Sequence, residues 1–522
     1  FLGGKLNVSY NCLDRHLEKK GDEKALIWIP EPINEKKVEM SYSELYEKVN
    51  KAANLLKKLG VKKGDVVAIY LPLIPEVVVS MLACARIGAI HSVVFSAFSA
   101  DALKTRLLDG EAKVLISADG YYRRGKVENL LKKVKEAIKG TKVKKVIIVN
   151  RIKKKVRKGK KYVSWNEIEK MPDYCKPVYL ESNKPLFILY TSGTTGKPKG
   201  VVHDNGGYLV QAYWTAKWNF DLHDGDVMWC TADVGWITGH TYAVYGPLAL
   251  GITTLIYEGS PDFPNWGRWW RIIDENKVNV FYTAPTAIRM FMKAGEKFVK
   301  KYKLESLKIL GTVGEPIDVD AWMWYFKNIG KGKCPVVDTW WQTETGGNLI
   351  NSLPGIGPFI PTFAGRSFPG TRHIIVDDKG KEVRAGVEGY LVQKSPFAPG
   401  MLRGVWKNRK RYREKYWDKF KKYYDTSDGA YKSKEGYIRL VGRVDDVMKV
   451  AGHRLATAEL ENAIDESDLV DESAVVPMPD KIKGQVPVAF VVLKKKVSEK
   501  KFEELEARLK KHVDLKLGPT AR

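Results

Sequence analysis

The chain has 522 residues, of which 44% are hydrophobic and 29% are charged, so it is long enough for two or three domains with sizeable cores. Its formal net charge of +27 invites a nucleic-acid interpretation. However, the basic runs at 153–161, 407–422 and 494–501 lie in no recognisable nucleic-acid module, and aromatic residues interleave only the second. Solvated faces are therefore favoured, and lysine-rich surfaces are also common in proteins from hot environments.

The apolar stretches and the cysteines of the sequence indicate in which cellular compartment the protein acts. No apolar stretch reaches membrane-spanning length without a charge, and no secretory signal is found. The five cysteines are scattered and lack C-x-x-C spacing, which fits reduced thiols rather than a disulfide framework or a zinc site. The sequence therefore predicts a cytoplasmic protein that binds neither nucleic acid nor a membrane.

The first half of the chain alternates helical and strand periodicities. Ser43 is predicted to cap a helix over residues 43–59, which Gly60 ends. Apolar runs at 66–71, 90–95, 114–117 and 146–149 predict strands, with helical stretches such as 76–86 between them. Buried strands separated by helices predict an α/β fold with parallel sheets covered on both faces, and ligands in such folds bind at the carboxyl ends of strands.

The tail has a different pattern. Residues 474–476 and 488–493 are predicted strands, and 499–511 is a predicted exposed helix. We therefore expect a large domain over residues 1–444 and a small α+β domain over 445–522, joined near Asp445.

The segment that follows the apolar run 186–189 is the most informative part of the chain. It combines glycines, hydroxyl side chains and lysines in one turn: Thr191, Ser192, Gly193, Thr194, Thr195, Gly196, Lys197 and Lys199. Glycines allow close backbone approach to an anion, hydroxyls donate to it, and lysines supply positive charge, so the expected ligand is a polyphosphate. The spacing is not that of a Walker A loop, and Pro198 disfavours a helical continuation. A flexible loop without a ligand is the alternative.

Further motifs occur with this segment in a fixed order along the chain. They are G-W-I-T-G-H at 235–240, G-E-P at 314–316, D-T-W-W-Q-T-E-T-G at 338–346 and G-R-V-D-D-V at 442–447. The set resembles the adenylate-forming enzymes and, among them, the AMP-forming acetyl-CoA synthetases. The resemblance implies a large domain of mostly parallel sheets flanked by helices and a small mobile α+β domain. It also implies two steps, in which acetate and ATP give acetyl-adenylate and pyrophosphate, and coenzyme A then takes the acyl group.

The resemblance assigns an ATP site. The glycine-rich segment would hold the β- and γ-phosphates, Glu344 would contact Mg²⁺, and Thr343 and Gln342 would face the α-phosphate. The segments that match those around adenine contain Gly314, Glu315, Pro316, Asp338, Thr339, Trp340 and Trp341. Asp428 and Arg443 match ribose contacts, and Arg454 matches a phosphate contact. Ser427 stands where the family usually has glycine, so a positive φ there would strain the turn.

An acyl pocket is also implied. Its matching residues are Ile237, Thr238, Val313 and Trp341. In the family a tryptophan at the position of Trp341 closes the pocket behind acetate; the alternative is an ordinary core tryptophan. Pocket fit discriminates one methylene by only about 1–3 kcal/mol, so propionate should be a poor substrate rather than an excluded one. Ligases for propionate or 3-hydroxypropionate have similar motifs, so either activity is an alternative for this chain.

The second step is assigned by weaker matches. Asp445 lies at the family's hinge, and Ala451, Gly452 and Thr238 match residues beside the pantetheine tunnel. Arg123 and Lys126 match positions that bind the nucleotide end of coenzyme A, with an ordinary basic surface turn as the alternative. The catalytic candidates are thus Asp445, Glu344, Thr343 and Arg454, and acetate, ATP, Mg²⁺ and coenzyme A are the expected small molecules.

The family's terminal P-K-T-R-S-G-K motif is absent before Arg522, so we expect a truncated small domain. The lysine of that motif contacts the adenylate, and its acetylation commonly switches the enzyme off, which implies an acetyltransferase and a deacetylase as partners of a segment outside this sequence. A nucleotide-binding module without catalytic output is therefore a second hypothesis, and a homo-oligomer stays open.

Overall fold

The computed structural model of the chain describes residues 3–154, 159–192, 197–443, 447–450, 453–494, 497–498 and 501–518. Within these ranges, no helix is long and apolar enough to cross a membrane. All five cysteine side chains are buried and free of disulfide bonds.

The strands are short and number through the chain as follows: β1 Lys5–Leu6, β2 Lys24–Ile29, β3 Val38–Ser41, β4 Val66–Tyr70, β5 Ile90–Val93, β6 Val114–Ala118, β7 Gly120–Arg123, β8 Lys126–Asn129, β9 Lys145–Val149, β10 Tyr162–Ser164, β11 Leu180–Glu181, β12 Pro185–Thr191, β13 Lys199–Asp204, β14 Val227–Cys230, β15 Thr253–Tyr257, β16 Val280–Thr283, β17 Ile309–Thr312, β18 Val336–Trp340, β19 Ile350–Asn351, β20 Arg366–Ser367, β21 Arg372–Val376, β22 Gly389–Lys394, β23 Gly404–Val405, β24 Tyr424–Lys432, β25 Ile438–Arg443, β26 Val447–Val450, β27 His453–Ala456, β28 Val470–Asp480 and β29 Gly484–Leu493.

The α-helices are α1 Val8–Cys12, α2 Leu17–Lys20, α3 Tyr42–Lys58, α4 Pro75–Ile87, α5 Ala100–Asp109, α6 Leu130–Ala137, α7 Gly206–Asn219, α8 Ile237–Gly239, α9 Gly246–Leu250, α10 Arg268–Glu275, α11 Pro285–Ala294, α12 Val319–Trp324, α13 Arg409–Tyr416, α14 Thr457–Asp465 and α15 Phe502–Leu517. Short 3₁₀ helices lie at Asp14–His16, Trp165–Lys170, Glu296–Phe298 and Thr343–Thr345, and π-helical turns lie at His240–Tyr245 and Tyr325–Ile329.

Two large sheets form the body of the molecule. The first has the order β10-β9-β6-β4-β5-β12-β13-β23 and is parallel from β10 to β12, with β13 and β23 antiparallel at one edge. The second has the order β20-β19-β18-β17-β16-β14-β15-β2-β3 and is parallel from β18 to β2. Because both faces of these strands are covered, they are continuous apolar runs. The prediction of an α/β fold with parallel sheets is confirmed, and the strands predicted near 66, 90, 114 and 146 are β4, β5, β6 and β9.

The cap predicted for the first long helix was wrong by two residues. Helix α3 begins at Tyr42, and its cap is Ser41 rather than Ser43. The Ser41 hydroxyl accepts the Glu44 N–H while the Glu44 carboxylate accepts the Ser41 N–H, so the two form a capping box. Ser43 lies inside the first turn. The helix ends before Gly60, whose φ of +85° suits the left-handed residue after a helix.

The two large sheets share one extended core. Apolar residues from α1 to β18 form a single buried cluster between them, and a second cluster lies under α10, α11 and α12. The antiparallel sheet β21-β22-β24-β25 has its own smaller core next to β13 and β23. At the chain's end, β27-β26-β29-β28 forms a sheet that packs with α14 and α15 around Met448, Val470 and Val513. The strands and helix predicted in the tail are therefore present as longer elements.

Candidate active site

The glycine-rich segment lies in a hairpin at a strand end. Strand β12 runs parallel to β5 and ends at Thr191, which pairs with Lys199 at the start of the antiparallel strand β13. Thr191 and Lys199 are buried, whereas Lys197 is exposed. Gly193, Thr194, Thr195 and Gly196 lie outside the described residues. The described ends of the segment, Thr191 and Lys199, thus lie at the carboxyl end of β12, where α/β folds bind ligands.

Lys199 reaches from this hairpin to a buried carboxylate. Its Nζ lies 3.0 Å from Oε1 of Glu344, and both side chains are at most 3% exposed. The Tyr416 hydroxyl donates to the same oxygen at 2.6 Å, and the Lys199 ammonium lies 4.9 Å from the centre of the Tyr416 ring. Since a buried carboxylate is costly without a partner, the ammonium and the hydroxyl compensate its charge.

The donor set around Glu344 fits a magnesium ion that is held mainly by substrate. In the described ranges, no three His, Cys, Asp or Glu side chains cluster as a metal site would need. A divalent ion at Glu344 would take this carboxylate and complete its shell with phosphate oxygens and water. That is how Mg²⁺ usually binds in nucleotide-dependent enzymes.

Gln342 connects this region to Asp428. Its Nε2 donates to Oδ2 of Asp428 at 2.7 Å and to the Thr426 carbonyl at 2.6 Å, while its Oε1 accepts the Tyr424 hydroxyl at 3.1 Å. The Trp340 indole also donates to Oδ2 of Asp428, at 3.0 Å. Both amide hydrogens of Gln342 are thus engaged here, which makes its side chain a support for Asp428. The hairpin, Glu344 and Asp428 belong to one connected site.

The turn before Asp428 has the positive φ at which the sequence predicts strain, with serine in place of the family's glycine. Ser427 has a φ of +57°, in the left-handed region where the family's glycine is unstrained and serine is not. Its N–H is held by Oδ1 of Asp425 at 2.8 Å. On the neighbouring strand, Arg443 pairs in register with Asp428, so the two predicted ribose residues are directly opposite. Arg443 and Arg454 are described only in their backbone, on β25 and β27.

The residues predicted around adenine have internal partners. Gly314 has a φ of +99°, which favours glycine, and lies beside Glu315 and Pro316 after strand β17. The Glu315 carboxylate accepts the Thr286 N–H at 2.8 Å and pairs with Arg289 at 2.8 Å. Asp338 and Thr339 lie at the end of β18. There, Oδ1 of Asp338 accepts the Thr312 hydroxyl at 2.7 Å and the Thr339 N–H at 3.0 Å.

The predicted acyl-pocket residues pack into the shared core. Ile237 and Val313 are buried members of the cluster between the sheets, Trp341 packs against it while partly exposed, and Thr238 is also half-buried. The Trp341 indole donates to the Tyr282 hydroxyl at 3.3 Å and meets the Tyr242 ring edge-on at 5.2 Å. These contacts set the orientation of the indole.

The predicted coenzyme A residues divide into two groups. Arg123 and Lys126 are exposed and pair across the short hairpin β7–β8. Asp445, Ala451 and Gly452 lie outside the described residues, so the predicted hinge and tunnel loop are untested.

Three residues that contact the site were missed from the sequence. Tyr416 contacts Glu344, and Arg411 donates to the carbonyls of Lys197 at 2.7 Å and Pro198 at 3.3 Å. Both lie in the basic run interpreted as a solvated face. Its interleaved aromatic residues were the signal, because they anchor α13 to the core while most of its basic side chains stay exposed.

The third missed residue is His203 on β13, which lies behind the Thr343–Thr345 turn. Its Nε2 is 2.7 Å from the Thr343 carbonyl, and its Nδ1 is 3.0 Å from that of Gly400. Burial lowers the pKa of His203 to about 4. The neutral ring donates to one carbonyl, and the shorter contact favours a proton on Nε2. The imidazole therefore supports the peptide before Glu344.

Comparison with known proteins agrees with this geometry. Residues 13–406 match the family described as AMP-binding enzyme, and residues 459–522 match AMP-binding enzyme C-terminal domain. The chain therefore belongs to the AMP-binding enzyme family, and the resemblance predicted from its motifs is confirmed. It is 49% identical over its whole length to the acetyl-coenzyme A synthetase of Wolinella succinogenes and covers 81% of that protein. It is likewise 49% identical to that of Methanothrix thermoacetophila and 48% identical to that of Pyrobaculum aerophilum, and covers 80% of each.

Proposed function

We propose that this protein is an AMP-forming acetate–CoA ligase. The observation that carries the proposal is the connected site in which Lys199 of the hairpin β12–β13 contacts Glu344, and Gln342 contacts Asp428. These contacts support a single site that would combine a phosphate-binding turn, a metal-binding carboxylate and a ribose-binding carboxylate. The reaction combines acetate with ATP to give acetyl-adenylate and pyrophosphate, and coenzyme A then accepts the acetyl group.

In the first step the protein positions charged groups and excludes water. The glycine-rich segment binds the β- and γ-phosphates, and Lys199 stabilises the charge that develops on the departing pyrophosphate. Thr343 faces the α-phosphate, Asp428 and Arg443 bind the ribose, and Glu344 would hold Mg²⁺. The ion, when bound, neutralises phosphate charge. Gln342 acts mainly by orienting Asp428, since its amide hydrogens are engaged there.

The acid is selected by Trp341 together with Ile237, Thr238 and Val313. An indole held by Tyr282 and Tyr242 would place a rigid wall behind a two-carbon acid. Longer acids would meet this wall, at a cost of about 1–3 kcal/mol for each added methylene. Acetate is therefore the proposed substrate.

The second step requires the small domain. We assign residues 1–444 to the large domain and 445–522 to the small one, with Asp445 as the hinge. The separate core around Met448 and Val470 supports this division. Ala451 and Gly452 would join Thr238 beside the pantetheine of coenzyme A, and Arg123 and Lys126 would bind its nucleotide end. The proposed partners of the enzyme are the small anions acetate, ATP and coenzyme A. Its proposed location is the cytoplasm.

The test is pyrophosphate–ATP exchange by the full-length protein with acetate, propionate, 3-hydroxypropionate and butyrate in turn. We expect the highest kcat/KM with acetate and a ten- to hundredfold lower value with propionate. Equal kcat/KM values for acetate and butyrate would contradict the role of Trp341 as the wall of the acyl pocket. Nucleotide binding without exchange for any acid would favour the second hypothesis, a binding module without catalytic output.

A further inference from the structure

Hairpin β7–β8 places two cations side by side on the surface. Arg123 and Lys126 are directly opposite in its register, and both are exposed. Side chains at opposite positions of an antiparallel pair project from the same face, and like charges there destabilise the hairpin. An anion between the two cations removes this repulsion. A phosphate monoester, with two negative charges and several acceptor oxygens, suits such a pair.

The turn between the two cations is strained. Arg124 has a φ of +51° and Gly125 has a φ of +71°, as expected for a two-residue loop with both central residues left-handed. Glycine adopts this conformation without strain, but the Cβ of Arg124 crowds its backbone there. The turn therefore needs support from outside the hairpin.

The buried side chain of Glu31 supports this turn by accepting hydrogen bonds from its backbone. Its side chain is fully buried, and its Oε1 accepts the N–H of Arg124 at 2.8 Å and that of Ser260 at 3.1 Å. Its Oε2 accepts the N–H of Gly125 at 3.1 Å. One carboxylate thus holds both left-handed residues of the turn and ties them to the segment after β15. Three N–H donors to one ionised acceptor form charge-assisted hydrogen bonds, which are roughly twice as strong as neutral ones.

A second contact holds the arm of the hairpin. The Arg151 guanidinium lies between the rings of Tyr122 and Trp28, at 4.8 and 5.0 Å from their centres. It pairs with Glu258 at 2.6 Å and Glu35 at 2.7 Å. Tyr122 directly precedes Arg123, whose guanidinium donates to the Gly259 carbonyl at 3.2 Å, so the Arg123 end of the cation pair is anchored to the rest of the chain.

We propose that Glu31 is a positioning residue that presents Arg123 and Lys126 to the phosphate monoester at the nucleotide end of coenzyme A. This inference rests on the proposed function, in which coenzyme A is the second substrate. Glu31 is buried beneath the turn and acts through its backbone, without touching the ligand. Its removal should therefore weaken recognition of that phosphate and leave adenylate formation unchanged.

The test compares Glu31→Gln with the unmodified full-length protein. A glutamine amide can accept at the position of Oε1 but places an NH₂ group against the Gly125 N–H, so the left-handed turn loses its support. We expect the KM for coenzyme A to rise about tenfold, with acetate-dependent pyrophosphate–ATP exchange unchanged within about twofold. The KM for dephospho-coenzyme A, which lacks the phosphate monoester, should hardly change. The preference for coenzyme A over its dephospho form should therefore collapse.

Two further variants distinguish the positioning of Arg123 and Lys126 from a general loss of structure. Asp262→Asn removes a carboxylate that pairs with the Arg124 side chain at 3.0 Å but leaves the turn amides bound, and should keep the preference. Adding Arg124→Gly to Glu31→Gln removes the Cβ strain and should restore part of the lost affinity for coenzyme A. If Glu31→Gln does not fold, Glu31→Asp gives the same readout with a smaller change.

The outcomes that would overturn the inference are distinct from failure of the proposed function. An unchanged KM for coenzyme A in Glu31→Gln would reject the positioning role, as would equal increases for both forms of the cofactor. Equal KM values for the two forms in the unmodified protein would reject phosphate recognition by the hairpin. If the unmodified protein makes no acetyl-CoA from acetate, ATP and coenzyme A, the proposed function fails, and the inference fails with it.

Discussion

Lys199 Nζ lies 3.0 Å from Glu344 Oε1, and this contact joins the hairpin β12–β13 to the turn Thr343–Thr345 that carries the Glu344 carboxylate. Both groups are buried, so the pair contributes to function through its geometry more than through net stability. Replacing a buried ion pair by apolar residues is often neutral, whereas removing one partner is costly because the other charge stays buried.

The first prediction concerns this pair. Lys199→Met should lower the free energy of unfolding by about 3–5 kcal/mol, because Glu344 would keep its charge in a buried position. Adding Glu344→Gln should recover part of that loss, since it removes the buried charge that has lost its ammonium partner. Urea unfolding of the single and double variants measures the coupling. Lys197→Met, at the exposed lysine of the same segment, is the control and should change stability by less than about 0.5 kcal/mol. Additive losses in the double variant would contradict the prediction.

The second prediction concerns acid selectivity. Trp341→Gly should lower kcat/KM for acetate and raise that for butyrate, because removing the indole opens space beside Tyr242 and Tyr282. Pyrophosphate–ATP exchange with both acids measures the ratio, which should shift by at least about tenfold. Trp214→Gly removes an exposed indole from α7 and should leave the ratio unchanged. An unchanged ratio in Trp341→Gly would make Trp341 an ordinary core residue.

The third prediction concerns pH. Burial lowers the pKa of His203 to about 4, against about 6.5 in an unfolded chain. Between these values the unfolded state binds the additional proton, so stability falls as pH falls from about 6.5 towards 4. His203→Gln should reduce the slope of stability against pH by up to about 1.4 kcal/mol per pH unit in that window. The exposed His223, replaced by Gln, is the control. Parallel curves for His203→Gln and the unmodified protein would contradict the assignment.

The fourth prediction concerns the strained turn before Asp428. Ser427→Gly should raise the free energy of unfolding by about 0.5–1 kcal/mol, because relief of the left-handed strain exceeds the added entropy of glycine in the unfolded chain. Thermal or urea unfolding measures the change. Ala430→Gly lies on the same strand at a residue without positive φ, and should destabilise instead. A loss of stability in Ser427→Gly would mean that serine is well accommodated there.

Sequence patterns predicted the elements whose signal is local. The central strands of the two large sheets are buried on both faces, so β4 and β6 are recognisable from continuous apolar runs. Two motifs that the sequence identified separately, the glycine-rich segment and the one at 338–346, contact each other through Lys199 and Glu344. The cap of α3 was misplaced because Ser41 and Ser43 both precede the apolar face, and only the reciprocal bonds with Glu44 distinguish them.

Contacts between distant segments were not predictable in the same way. His203, Tyr416 and Glu31 act on residues far along the chain, and none lies in a motif with a distinctive spacing. Tyr416 was hidden in a basic run whose overall charge suggested a solvated face. The sequence predicted strain at Ser427 only if its φ were positive. The sign of φ could not be predicted, because it depends on how β24 pairs with its neighbours.

The most direct test of the central claim is the set of products formed from ATP, acetate and coenzyme A by the full-length protein. A hairpin that binds the departing pyrophosphate beside Glu344 predicts AMP, pyrophosphate and acetyl-CoA in equal amounts, and their loss in Glu344→Gln. Formation of ADP and inorganic phosphate, or of acetyl-CoA without AMP, would contradict it.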